Sequence, residues 1–259
     1  ADPDLALKAL AEWWRDMGID PAPIEAARNA NQKPASSAPP AQPRKRASKA
    51  KVDWVDEARR LANAASDLPA LKTAIEAFDG CALKRDAENT VVFDGTPGAP
   101  VMVIGEGPGA EEDRQALPFV GKAGQLLDRM LAAIGLSRAT NTLITNVNYW
   151  RPPNNRNPEA DELAVCRPFV DRMIELNHPK LIITAGGVPS VSLLGAKTGI
   201  MRLRGQEALY ETPGGWRGPL VPILHPAFLL RRPQEKALAW RDLQMIEARL
   251  QALGASIGD

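Results

Sequence analysis

Five short apolar runs, at residues 91–93, 101–104, 143–146, 181–185 and 220–224, are separated by longer stretches of helical spacing at about 123–134, 159–177 and 187–195, with another at about 234–251 closing the series. The runs at 101–104 and 220–224 read as strands buried on both faces, the others as further strand candidates, and strands that alternate with helices pair in parallel. The pattern predicts an α/β fold, a three-layer αβα sandwich with a central, mostly parallel sheet. Two further helices are expected ahead of the first strand, at about 53–65 and 68–78, the second opened by Asp67-Leu68-Pro69.

The first fifty residues follow a different rule. Leu5, Leu7, Leu10, Trp13, Trp14 and Met17 recur at helical spacing until Gly18, which predicts an amphipathic helix within residues 1–20. Residues 21–51 are rich in Pro, Ala and Ser, nearly free of large apolar groups, and end in basic residues from Arg44 to Lys51. Too little surface can be buried there to offset ordering entropy, so this stretch is expected to be a disordered linker and 52–259 the folded domain. The helix is a candidate contact for an unidentified protein partner, and the chain is otherwise expected to be a monomer. A net charge of +1 over 259 residues leaves any nucleic-acid binding to local basic patches. No apolar run approaches membrane-spanning length and no apolar signal core is present, so no membrane contact and a cytoplasmic location are expected.

Two motifs begin where strands end. Gly105-Glu106-Gly107-Pro108-Gly109 follows the run at 101–104, and His225-Pro226-Ala227-Phe228-Leu229-Leu230 follows the run at 220–224. In open parallel sheets the ligand crevice lies outside the carboxyl ends of the strands, so a glutamate and a histidine delivered this way can face one substrate. The glycines do not form a dinucleotide fingerprint, because Ala110 stands where the third glycine is required, and no Gly-Lys-Ser/Thr follows. Glu111, Glu112 and Asp113 suit a helix start. Glu106 sits on a turn between glycines with no helix to stabilise, which marks it for chemistry.

The run from Ile104 to Asp113, followed by Leu117-Pro118-Phe119-Val120-Gly121-Lys122-Ala123-Gly124-Gln125-Leu126-Leu127, closely resembles the first motif of family-four uracil-DNA glycosylases. Ile144-Thr145-Asn146, Arg151-Pro152-Pro153-Asn154-Asn155-Arg156, Ile174-Glu175-Leu176 and the segment from His225 to Arg231 continue the resemblance in order, over about residues 75–250. It implies hydrolysis of the N-glycosidic bond of uracil in DNA, leaving an abasic site. That step passes through an oxocarbenium-like sugar while the base leaves as an anion. The resemblance gives Glu106 the sugar or water and His225 the pyrimidine O2, where a neutral imidazole can donate. Gly105, Gly107, Phe119, Asn146 and Glu112 become base contacts. Phe119 stacks, Asn146 reads O4 and N3–H, and Glu112 excludes a 5-methyl group.

Arg151, Arg156 and Arg231 are expected to meet phosphates of uracil-containing DNA, with Phe228 and Leu229 pushing into the gap left by the extruded nucleotide. The family usually carries a [4Fe-4S] cluster on four cysteines, but the matching positions here are Phe78, Cys81, Trp150 and Cys166. Four thiolates cannot be assembled from two, so no cofactor and no metal are expected. Two alternatives stay open: a non-catalytic, damage-sensing DNA-binding module of the same fold, or a glycosylase of broader base specificity.

Overall fold

The computed structural model describes residues 53–255; the helix and linker expected within residues 1–51 lie outside them. Asp53 caps α1 (Trp54–Ala64) by accepting from the Val55 and Asp56 amides, and Asp67 caps α2 (Leu68–Ala77) by accepting from Ala70 N. The alternating region follows as β1 (Phe93–Gly95), β2 (Val101–Gly105), α3 (Ala110–Gln115), α4 (Lys122–Ala132), β3 (Thr142–Asn146), α5 (Ala160–Asn177) and β4 (Leu181–Ala185). It continues through α6 (Gly187–Leu194), α7 (Ile200–Leu203), β5 (Ala208–Glu211), β6 (Arg217–Ile223), α8 (Pro226–Arg231) and α9 (Lys236–Ala252). Among the described residues no helix is long and apolar enough to cross a membrane.

The six strands form one mixed sheet in the order β1-β3-β2-β4-β6-β5. The four central strands are parallel, as expected, and the two edge strands pair antiparallel. The edges depart from the sequence expectation. The first strand is paired at 93–95 instead of 91–93, and β5, in which only Tyr210 is buried, lacks the apolar run that marks a central strand.

Strand alternation sends side chains to two cores. Met102, Ile104, Leu143, Ile182 and Leu220 pack beneath α1, α2 and α5, whereas Val101, Val103, Ile144, Ile183 and Val221 pack beneath α4 and α9. From β2 the chain steps to β3 on one side and later to β4 on the other, so β2 is the point where strand order reverses. A crevice opens at such a point beyond the carboxyl ends of the strands.

Candidate active site

Glu106 emerges from the end of β2, and Asn146 is the last residue of β3. Gly105 and Asn146 are register partners, and the ladder continues past both strands through Val147 N to Gly105 O (2.9 Å) and Asn148 N to Glu106 O (3.2 Å). The turn carrying Glu106 is therefore held by sheet hydrogen bonds. Burial pushes the Glu106 carboxyl above its ordinary range, with no cation among the causes to draw it back.

Asn146 is 1% exposed, and neither Oδ1 nor Nδ2 has a hydrogen-bond partner. A buried amide left unpaired costs about 1–3 kcal/mol, so this one is held ready for a group that brings both a donor and an acceptor. Gly105 makes room for it. A Cβ there would sit 2.4 Å from Asn146 Oδ1 and 2.5 Å from the Phe119 ring.

Phe119 lies on the turn between α3 and α4, its ring 5.7 Å from the His225 imidazole with the planes inclined by 29°. His225 follows β6 and caps α8, its Nδ1 accepting from Ala227 N at 3.1 Å. With Nδ1 acting as acceptor, the neutral ring carries its proton on Nε2, the atom left to donate elsewhere. Burial, and then the charge of Arg231, lower the His225 pKa to about 4 against a smaller opposing effect of Glu112. Gly186, at φ +106°, packs beneath the ring, and a Cβ would lie 3.1 Å from that of His225.

Glu106, Phe119, Asn146, His225, Glu112 and Arg231 all line one cleft of about 460 Å³, and Gly107 lies on its wall. Within this cleft Glu112 also fastens backbone. Its carboxylate accepts from Gly109 N (3.2 Å), Val120 N (3.0 Å) and Gly121 N (2.8 Å), so its oxygens tie the glycine turn to the Phe119 turn. Glu111 pairs with Arg114, and buried Asp113 accepts from Asn89 N.

One of the expected DNA contacts needs correction. Leu229 is 1% exposed and packs in the core, so it cannot enter a duplex; Leu230, 41% exposed, is the apolar tip of α8, and Phe228 is half-buried against the same core. Arg151 lies outside the cleft beside Asp86, with its Nε on Asn155 Oδ1. Arg156 does line the cleft, but its guanidinium forms a bidentate pair with Glu162 at 2.6 and 2.8 Å. Arg231 is exposed on the cleft wall.

Two residues escaped sequence reasoning. Gly186 had a signal, a Gly-Gly pair directly after the run at 181–185. Asn148, fully buried and bonded to Trp150 through both ends of its amide, holds the turn after β3, and the polar alternation Asn146-Val147-Asn148 is the trace it leaves in the sequence.

The four positions matched to cluster ligands do come together, in a packed core. The Phe78 ring lies 6.4 Å from Trp150 and 5.2 Å from Phe169, and Cys81 and Cys166 are buried as free thiols in the same cluster. Burial pushes the Cys166 thiol well above its ordinary value. Two thiols and two apolar rings do not fit a group that needs four thiolates. Purified protein is expected to be colourless and cooperatively folded; metal analysis finding about four irons per chain would overturn this reading of the donor set.

The family model of the uracil DNA glycosylase superfamily matches residues 92–244. The type-4 uracil-DNA glycosylase of Sulfurisphaera tokodaii is 36% identical over 185 residues, covering 69% of this chain and 83% of that protein. That of Pyrobaculum aerophilum is 37% identical over 189 residues, covering 69% and 92%, and that of Thermotoga maritima 38% over 154 residues, covering 58% and 77%.

Proposed function

Since the chain belongs to the uracil DNA glycosylase superfamily, we propose that it removes uracil from DNA by hydrolysing the N-glycosidic bond, with residues 52–259 as the catalytic domain. The observation that carries this reading is the unpaired, buried amide of Asn146 beside Phe119 in the cleft that also holds Glu106 and His225. Uracil offers an acceptor at O4 and a donor at N3, the complement of that amide. Glycosylases extrude the target nucleotide to reach it. The base then stacks on Phe119 with its O4 and N3–H edge against Asn146.

The electron pair of the C1′–N1 bond leaves with the base, and the charge that grows on O2 meets the Nε2–H of His225. Glu106 faces the positive sugar and takes a proton from the water whose oxygen bonds to C1′. A carboxyl raised by burial is a better proton acceptor than an ordinary one. Arg231 and Leu230 stand at the rim, the first for phosphate and the second for the space the nucleotide vacates.

Oligonucleotides carrying uracil, hypoxanthine or thymine, single- and double-stranded, test this directly. Abasic sites revealed by alkali are expected for uracil; none with any substrate would remove the activity, and equal cleavage of hypoxanthine would widen the specificity. The pH dependence has a definite sign. Glu106 must be ionised, so the rate falls as pH drops through its raised pKa, while His225 stays neutral down to about 4 and adds no limb of its own near 6.5. A second limb near 6.5 that disappears in His225→Asn would contradict the neutral-imidazole assignment.

A further inference from the structure

Phe119 is a non-glycine residue at φ +55°, a left-handed conformation that a bulky side chain holds only when its surroundings impose it. The surroundings are on both sides of the turn. Glu112 takes the amides of Val120 and Gly121, and Arg138, from the loop ahead of β3, takes the carbonyls. Its Nη1 donates to Pro118 O (3.0 Å) and its Nη2 to Phe119 O (2.9 Å). The guanidinium is itself anchored, by Asp94 in β1 (2.7 Å) and by Asp128 in α4 through Nη2 (2.8 Å) and Nε (3.0 Å). All five N–H groups have an acceptor. Behind the turn, a Cβ on Gly124 would fall 1.8 Å from the Phe119 carbonyl oxygen, so helix backbone closes the third side.

We propose that Arg138 is a positioning residue for base recognition: by joining β1 and α4 to the carbonyls of Pro118 and Phe119, it holds the strained turn that presents the Phe119 ring to the base. It touches no substrate and acts through the ring alone. A planar fork with five fixed donors can serve two carbonyls and two carboxylates together, and an ammonium with three donors cannot. Lysine would keep the charge between Asp94 and Asp128 and lose the hold on the turn.

This inference rests on the proposed uracil activity, and its test separates the two. Binding of free uracil is measured by calorimetry and uracil release by single-turnover excision, for the wild type, Arg138→Met, Arg138→Lys, Phe119→Ala and the double variant Phe119→Ala/Arg138→Met. Arg138→Met and Arg138→Lys are each expected to weaken uracil binding and slow excision about tenfold while unfolding cooperatively. In the Phe119→Ala background, the further loss from Arg138→Met should be under about twofold, because the ring through which Arg138 acts is gone. Full activity in Arg138→Lys would reduce Arg138 to a charge-balancing role, and equal losses with and without Phe119 would make it a general structural residue. Failure of both single variants to fold would count the same way. A wild type that neither binds nor releases uracil would instead refute the activity itself.

Discussion

Glu106→Gln is expected to slow uracil release by about two orders of magnitude or more, the scale of losing one preorganised electrostatic contact in the transition state, and to leave the protein at least as stable as before. The second half follows from the first site observation. Burial raises the Glu106 carboxyl, so at neutral pH the ionised form is less comfortable in the folded chain than in the unfolded one, and an uncharged amide of the same shape removes that disadvantage. His225→Ala should lose a comparable rate with the opposite effect on stability. It deletes the acceptor for Ala227 N at the start of α8, a cap of the kind that contributes about 1 kcal/mol. Single-turnover kinetics beside thermal melts check both. Native rates in the two variants would strip these residues of their roles, and so would a loss of rate in Glu106→Gln that tracked a loss of folded protein.

Asn146→Asp should cost several kcal/mol in uracil excision and bring out weak excision of cytosine. In the proposed complex the amide meets uracil donor to acceptor at O4 and acceptor to donor at N3. Cytosine has an amine at position 4 and a bare acceptor at N3, so both contacts become clashes of like with like. A carboxylate reverses the preference, accepting from the cytosine amine and, when protonated, donating to N3. Against uracil it sets oxygen against O4 in a place where the native amide is fully enclosed. Asn146→Ala is the control, losing uracil activity without gaining cytosine. Near-native uracil excision by Asn146→Asp would move the reading of the base edge to another residue.

What could be read from the chain followed the range of the interaction concerned. The central strands and the long helices are stated by local periodicity, and the residues at strand ends by where those runs stop, so Glu106 and His225 could be placed in one crevice from the sequence, and Asn146 through the family resemblance. The antiparallel edge β5 could not, because half-exposed residues lack the continuous apolar run that marks a central strand. Leu229 and Leu230 are indistinguishable by composition; only the rotation of α8 against α4 and α9 decides that the first is core and the second is surface. Glu112 and Arg156 were legible as charges at the right turns, but not as charges already engaged. Arg138 was invisible for the same reason, since its partners lie 10 to 44 positions away in the chain.

The register that sets Gly105 opposite Asn146 makes the sheet a ruler for the site. Glu106 and Asn146 grow from adjacent parallel strands, whose separation of about 4.8 Å is a property of backbone hydrogen bonding and not of any side chain nearby. Drift in the helices or loops can tilt the walls of the cleft but cannot change that spacing. A descendant of this chain with a new base preference would therefore arise by exchanging side chains at fixed stations, above all position 146. Libraries built to broaden its substrates should diversify the strand termini and keep the backbone between them untouched.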